Sequence, residues 1–154
     1  MTATDTVVRT QVSVAVPVAT TFRIFTEGID RWWCREHHIG TAELDEVVLE
    51  PRQGGRWFEI GVDGSECQWG RVLHWEPPHR LVLGWQIDAH WTFDPEFLTE
   101  VEVRFVADGP DRTRVELEHR NLERFGDARE SMRTGFDSEG GWQGLLNAFA
   151  DHAD

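Results

Sequence analysis

The segment from Glu43 to Asn121 alternates apolar and polar residues, and this period of two constrains the fold more than any other feature. In TEVEVRFVA and TRVELEHR, apolar side chains occupy every second position, and the turn signal GPDR joins the two runs. Strict alternation is typical of strands with one buried and one solvated face. The pattern predicts about six antiparallel strands in this segment.

Helical patterns flank this region. TQVSVAV predicts a first strand, after which VATTFRIFTE and IDRWW predict two short helices. The closing segment SEGGWQGLLNAFADHAD spaces its apolar residues three or four apart, which predicts an amphipathic helix from residue 138 to 153. The order predicts an α+β fold, in a single domain over residues 1–154, with a curved sheet of six or seven strands wrapped around the terminal helix.

Three connecting segments carry less regular patterns. ERFGDARESMRTGFD is charged and broken by glycine, so we expect a loop with a partial helix. DAHWTFDPEFLTE, residues 88–100, is long for a hairpin connection and is either a lid or a loop held to the sheet edge by its aromatic residues. If residues 88–100 form a lid, they would lie at the mouth of an internal cavity. The segment IDRWWCREHHIG is a candidate for the opposite side of that mouth.

The composition excludes several classes of function. All 15 basic residues are arginine, so neither a Schiff-base lysine nor a phosphate-loop lysine is present. The net charge of -13 disfavours nucleic acids and anionic membranes, whose surfaces demand a basic partner. Without a signal peptide or an apolar run of about 20 residues, we expect a cytoplasmic protein that has no membrane contact. We further expect a monomer or homodimer that requires no cofactor.

The run CREHH raises the question of a metal site, because Cys34, His37 and His38 lie within five residues. A zinc site needs three or four convergent ligands, and this run lacks a second ligand pair at a defined spacing. An exposed polar turn explains it more simply, so we expect no metal.

Two residues are weak candidates for acid–base catalysis. Alternation places His119 on the same face as Val115 and Leu117, where an imidazole could exchange protons with a bound molecule. The competing interpretation is a core histidine with satisfied hydrogen bonds, which buried polar groups normally have. Glu59 is in register with Trp57 and faces either the same space or the rim of the sheet.

Several longer segments resemble a known family. PRQGGRWFE, GRVLHWEPPHRLVLGWQ, TEVEVRFVADGPDRTRVELEHRNL and GGWQGLLNAFADH are similar to the START/Bet v 1-like helix-grip superfamily (SRPBCC), in the branch named after the activator of the Hsp90 ATPase. The resemblance covers roughly residues 7 to 153. It implies a cavity between the sheet and the C-terminal helix for apolar molecules, lipids or polyketides, and it carries over no shared catalytic residue.

Eight tryptophans are more than a core of this size needs, and a cavity wall would use them. We therefore expect the terminal helix to cover the bent sheet without filling the hollow beneath it. The expected partner is an apolar or aromatic small molecule. The alternatives are a cyclase or hydrolase that uses His119, and a chaperone-interacting protein. The expected ligand-binding residues are Trp33, Trp57, Leu73, Trp75, Leu83, Trp85, Trp91, Val103, Phe105, Leu117, His119, Trp142, Leu146 and Phe149.

Overall fold

A seven-stranded antiparallel sheet forms the body of the protein, and the computed structural model describes residues 7–153 of the chain. The strand order is β1-β7-β6-β5-β4-β3-β2. The strands are β1 Val8–Val14, β2 Leu44–Leu49, β3 Arg56–Gly61, β4 Glu66–Glu76, β5 Arg80–Trp85, β6 Thr99–Ala107 and β7 Thr113–Arg120. This order confirms the predicted sheet, with six strands after the first two helices.

The helices lie before and after the six consecutive strands. They are α1 Val18–Thr26, α2 Ile29–Trp32, a 3₁₀ segment Leu122–Ala128, α3 Arg129–Phe136 and α4 Trp142–Ala153. Within residues 7–153, none of them combines the length and the apolar character that crossing a bilayer requires. With α4 packed on the curved sheet, the architecture is the predicted helix-grip fold.

Two local predictions differ from the structure. Residues 122–136 are helical over almost their whole length, because Leu122, Phe125, Met132 and Phe136 are buried and give the segment an apolar side. The terminal helix begins at Trp142 and not at residue 138. The Ser138 hydroxyl donates a hydrogen bond to the Gly135 carbonyl at 2.7 Å, so it closes a turn between α3 and α4.

The inner face of the sheet carries the core. In β6 and β7 the residues that point inward are buried, as the alternation predicted: Val101, Val103, Phe105, Val115, Leu117 and His119. The ring of Phe105 contacts Phe22 at 5.0 Å and Phe25 at 5.4 Å, and both belong to α1. Alpha-1 therefore closes one end of the inner face.

The outer face of β5, β6 and β7 carries a charged network centred on Glu102, which is only 5% exposed. The Glu102 carboxylate accepts hydrogen bonds from Arg80 at 2.7 Å, Arg104 at 2.8 Å and Arg120 at 2.5 Å. Burial alone would raise the pKa of Glu102, but the three guanidinium groups outweigh it and lower the pKa to about 2.

We expect Glu102→Gln to lower the free energy of unfolding by about 2 kcal/mol at pH 7, because it replaces the hydrogen bonds of three arginines to a charged group by weaker ones to an amide. Between pH 4.5 and about 2 the unfolded chain binds a proton at this carboxyl that the native state does not, so the Glu102 contribution is present above pH 4.5 and is lost as the pH falls to about 2. Urea titrations at several pH values measure both effects.

Glu116→Gln is the matched control for this network. Glu116 pairs with Arg114 on the same outer face, but the two side chains are 36% and 38% exposed. Solvent screening limits such a pair to less than about 1 kcal/mol. Equal losses in the two variants would contradict a central role for Glu102.

Candidate functional site

The space beneath the middle of α4 is filled by the protein's own side chains. Phe149 and Leu146 are fully buried there, and the Phe149 ring lies 5.2 Å from Phe25 and 5.3 Å from Trp32. The predicted hollow along the helix is absent from this part of the described chain, because α1 and α2 contribute rings to the same layer.

A cavity of about 540 Å³ lies instead at the N-terminal end of α4. Three parts of the chain form its wall. The loop after α2 contributes Trp33, Glu36, His37, His38 and Ile39. The sheet and the loop after β5 contribute Trp69, Trp85, Ile87 and Trp91. Helix α3, the following turn and the start of α4 contribute Ser131, Met132, Gly135, Phe136, Ser138, Gly140, Gly141, Trp142 and Leu145.

The turn between α3 and α4 brings its backbone close to the cavity. A Cβ at Gly141 would collide with the carbonyl oxygens of Phe136 and Gly135, so this position requires glycine. The motif GGWQG is thus explained by close packing at the start of α4. The same turn places Phe136 and Trp142 on adjoining parts of the wall.

The indole rings present apolar faces to the cavity because their N–H groups are used elsewhere. Trp33 donates to the His37 carbonyl at 2.9 Å, and Trp85 donates to the Ile87 carbonyl at 3.0 Å. Trp69 donates to the Glu59 carboxylate at 2.8 Å, and Trp142 donates to His119 Nδ1 at 3.0 Å. The ring faces are held at wide angles, for example 77° between Trp33 and Trp142, so a flat molecule would meet both faces and edges.

His119 lies behind this wall, fully buried, and both of its ring nitrogens are engaged. Trp142 donates its indole N–H to Nδ1 at 3.0 Å, which fixes the proton on Nε2 because an indole N–H can only donate. Nε2 then donates to the Thr99 hydroxyl at 2.8 Å. Burial lowers the pKa of His119 to about 3, so the ring is neutral. The geometry is that of a satisfied core histidine that orients Trp142.

Glu59 is also buried, at 1% exposure, and holds the loop that follows α2. Its carboxylate accepts hydrogen bonds from the Ile39 N–H at 2.6 Å, the Gly40 N–H at 3.1 Å and the Trp69 indole at 2.8 Å. A Cβ at Gly40 would lie 2.8 Å from Glu59 Oε2, so glycine lets the backbone approach the carboxylate. Glu59 thus positions two parts of the cavity wall.

The structure divides the expected ligand-binding residues into two groups. Four lie on the wall of the cavity: Trp33, Trp85, Trp91 and Trp142. The others lie elsewhere in the described chain: in the buried core Trp57, Leu83, Val103, Phe105, Leu117, His119, Leu146 and Phe149, and half-buried Leu73 and Trp75. Trp57 sits directly behind the wall, 5.4 Å from Trp69 and 5.9 Å from Trp85, and its indole N–H has no acceptor among residues 7–153.

Leu73 differs from the expectation that it shares a face with Leu81 and Leu83. The pairing of β4 with β5 shifts between Val72 and His74, which is a β-bulge. The bulge turns Leu73 to the outer face, where its side chain lies against Gly84. Trp75 returns to the inner face and contacts Phe22 at 5.1 Å.

Several wall residues were not predicted individually. Trp69, Met132 and Phe136 were not singled out. His37, His38 and Ile39 were expected at the cavity mouth only as part of the segment IDRWWCREHHIG, and the two histidines were also considered as metal ligands. Within residues 7–153, no three histidine, cysteine, aspartate or glutamate side chains converge in a way that could hold a metal ion. The spacing of Phe125, Met132 and Phe136, seven and four residues apart, was a helical signal in the segment interpreted as a loop.

A curved antiparallel sheet closed by a C-terminal helix, with an aromatic-walled cavity at one end of that helix, defines a helix-grip protein. The model of the Activator of Hsp90 ATPase homolog 1-like protein family matches residues 15–154. The chain belongs to that family, which the resemblance of its motifs had indicated.

Solved structures give more specific similarities. One is described as the anthrahydroquino-gamma-pyrone synthase Txn09 complexed with SUM; it is 39% identical, with a TM-score of 0.67, and the alignment covers 98% of this chain and 99% of that one. CalC from Micromonospora echinospora, described as a self-sacrificing resistance protein, is 33% identical with a TM-score of 0.71, covering 96% and 94%.

An Hsp90 activator from Plasmodium falciparum is 18% identical with a TM-score of 0.55, covering 84% and 86%, which shows a shared fold alone. A comparison with curated proteins gives no match.

Proposed function

We propose that the protein binds a planar, polycyclic aromatic small molecule in the cavity at the N-terminal end of α4. The observation that carries this proposal is the wall itself, on which five tryptophans and Phe136 surround about 540 Å³. Pockets of about 300–1,000 Å³ accommodate molecules of drug size. Each well-oriented ring contact contributes about 0.5–1.5 kcal/mol beyond the burial of apolar area.

The hydrogen bonding of the wall favours an aromatic ligand over a richly polar one. The N–H groups of Trp33, Trp69, Trp85 and Trp142 are already bonded within the protein. A polar ligand would therefore lose hydrogen bonds to water without regaining them at these rings. An aromatic ligand gains ring contacts and loses little.

The similar proteins support the same ligand class. A protein 39% identical over nearly the whole chain is named for an anthrahydroquinone-type pyrone, and its structure contains a bound ligand. Nearly equal coverage of both chains means that the segments forming the cavity wall have counterparts in the two proteins. For this protein, the ligand class is inferred from the wall together with this similarity.

We expect Trp91→Asn to weaken the binding of 9,10-anthraquinone about tenfold without lowering thermal stability. Trp91 is 51% exposed at the cavity wall, and its ring lies 6.2 Å from Phe136. Its φ of 59° is in the left-handed region, which asparagine tolerates better than a bulky residue. Losing the ring removes one aromatic contact and exposes the ligand to water, which corresponds to about 1.4 kcal/mol.

Quenching of tryptophan fluorescence measures this affinity, with palmitate as the comparison ligand. Trp75→Phe is the matched control, because it changes one tryptophan that packs on Phe22 and does not line the cavity. If neither anthraquinone nor palmitate binds, the proposal fails. If palmitate binds more tightly than anthraquinone, the cavity is a lipid site.

A ring-forming enzyme is the second candidate function. The observation that favours it is the 39% identical synthase, together with the ionisable residues Glu36, His37 and His38 on the cavity wall. His119 lies outside this candidate mechanism, because Trp142 separates it from the cavity and occupies its basic nitrogen. Among the described residues the large exposed apolar side chains are Val62 and Trp91, on separate loops, which gives a chaperone-docking role less support.

A further inference from the structure

We propose that His38 accepts a hydrogen bond, and then a proton, from a phenolic or enolic hydroxyl of the bound molecule, and that Glu59 is the positioning residue behind it. This inference rests on the proposed function and narrows its ligand class to hydroxylated aromatics. It assigns a role to the CREHH run that involves no metal.

The hydrogen bonding of His38 leaves one nitrogen available. Nδ1 lies 3.0 Å from the Gly40 carbonyl oxygen, which can only accept, so the proton of the neutral ring resides on Nδ1. The lone pair is then on Nε2. No residue within 7–153 forms a hydrogen bond with Nε2, and His38 lies on the wall of the cavity with a side chain that is 24% exposed.

Glu59 supplies the negative charge that this arrangement needs. Its Oε2 lies 3.8 Å from His38 Nδ1, on the side of the ring away from Nε2. Both carboxylate oxygens accept N–H groups, from Ile39, Gly40 and Trp69, which suits the ionised form. A buried carboxylate behind an imidazole fixes its tautomer and stabilises the imidazolium that forms when the other nitrogen takes a proton.

Glu59 also fixes where the ring sits. Two of its hydrogen bonds are to the backbone N–H groups of Ile39 and Gly40, the two residues that follow His38. Since the same carboxylate sets both the backbone and the charge at His38, its loss should affect His38 more strongly than the aromatic wall, where it bonds to Trp69. His37 has no such carboxylate partner among the described residues, although its side chain also lines the cavity.

The transfer needs no co-reactant. The O–H bond of the ligand hydroxyl breaks, its proton forms a bond with His38 Nε2, and the electron pair remains on oxygen as a phenolate or enolate. The imidazolium keeps its Nδ1–H on the Gly40 carbonyl and faces Glu59. When the ligand leaves, the proton returns to its oxygen.

The test compares 9,10-anthraquinone with 2-hydroxyanthraquinone, whose hydroxyl lies too far from the ring carbonyls for an internal hydrogen bond. At pH 7 we expect the unsubstituted protein to bind the hydroxylated probe at least tenfold more tightly, since hydrogen bonds to charged groups are the stronger class. We also expect the bound probe to show the red-shifted absorption of its phenolate.

His38→Gln keeps a hydrogen-bond acceptor but removes the base, so we expect the phenolate band to vanish and the preference to fall below about threefold. Because Glu59 also accepts the Trp69 N–H, Glu59→Gln should weaken anthraquinone binding to some extent, but it should reduce the phenolate band and the preference for the hydroxylated probe further. The anthraquinone binding that remains also shows that the site is folded. His74→Gln, which changes an exposed histidine of β4 that is not on the cavity wall, should change neither signal.

The failures are distinguishable. If anthraquinone binds but the hydroxyl adds no affinity, or if His38→Gln retains the phenolate band, the proposal for His38 is overturned and the proposed function stands. If neither probe binds the unsubstituted protein, both are overturned. If Glu59→Gln weakens the binding of both probes equally, Glu59 acts on the wall as a whole, and its assigned action through His38 is wrong.

Discussion

Replacing Phe149 by alanine is expected to lower the free energy of unfolding by about 3–5 kcal/mol. Phe149 is fully buried on α4, and its ring contacts Phe25 and Trp32 at 5.2 and 5.3 Å. Those rings belong to α1 and α2, so the truncation leaves a void where three helices meet. Urea unfolding followed by circular dichroism measures the loss.

Asn147→Ala is the control on the same helix. Asn147 is exposed, and its side chain accepts a hydrogen bond from Gln143 at 2.9 Å on the surface. We expect a change within about 0.5 kcal/mol, as for most surface substitutions. A loss below about 1 kcal/mol for Phe149→Ala would contradict the filled interior beneath α4 and would reopen that space as a binding site.

The strand pattern was predictable because alternation is a local property with a fixed geometric meaning. Each residue in β6 and β7 faces inward or outward according to its position. Burial follows that rule over residues 101–105 of β6 and throughout β7, except at Glu102, which its arginine partners cover on the outer face. The pattern failed at Leu73, where a bulge in β4 changes the phase. A bulge adds one residue to one strand of a pair, and no residue type in RVLHW indicates one.

The position of the cavity was not predictable by the same rule. Alternation tells which face a side chain is on, but it does not tell how much of that face other elements cover. Phe25 and Trp32, from the first two helices, fill the middle of the inner face. The cavity therefore lies at the end of the sheet where Trp142 begins α4. Its wall comes mostly from loops, whose sequences carry no period.

The tryptophans serve two purposes, which explains their number. Trp57 is buried behind the wall, whereas Trp33, Trp69, Trp85 and Trp142 each have one side in the core and another on the cavity. Each of these four rings is fixed by a hydrogen bond from its N–H group. A wall built in this way is rigid before a ligand arrives, which lowers the entropic cost of binding.

For His119, the sequence predicts the direction of the side chain but not its hydrogen-bond partner. Alternation predicted an inward His119, and the structure confirms that orientation with a fully buried ring. Its partner could not be predicted, since Trp142 lies 23 positions away in the sequence and reaches Nδ1 only because α4 packs against the sheet. The chemistry of a buried imidazole depends on that partner, which here uses the lone pair that catalysis would need.

Lowering the pH from 6.5 to 4.5 is expected to cost the native state about 2–3 kcal/mol through His119 alone. The pKa of His119 is lowered from 6.5 to about 3 by burial, so the native ring stays neutral throughout this range. The unfolded chain binds a proton there and the native state does not. Stability therefore rises with pH between about 3 and 6.5, and the contribution is complete above 6.5.

His119→Gln isolates this effect, because glutamine retains one acceptor and one donor for Trp142 and Thr99 but does not titrate. We expect this variant to be less stable at pH 7. We also expect its free energy of unfolding to lose most of its pH dependence between pH 6.5 and 4.5, which urea titrations at steps of half a pH unit measure. The range from pH 6.5 to 4.5 excludes Glu102, whose contribution is lost below pH 4.5.

His79→Gln is the control, because His79 is exposed in the turn between β4 and β5. It should leave the slope of unfolding free energy against pH unchanged. Identical slopes for His119→Gln and the unsubstituted protein would mean that the native His119 takes up a proton, which requires an opening between the cavity and the ring that Trp142 now covers.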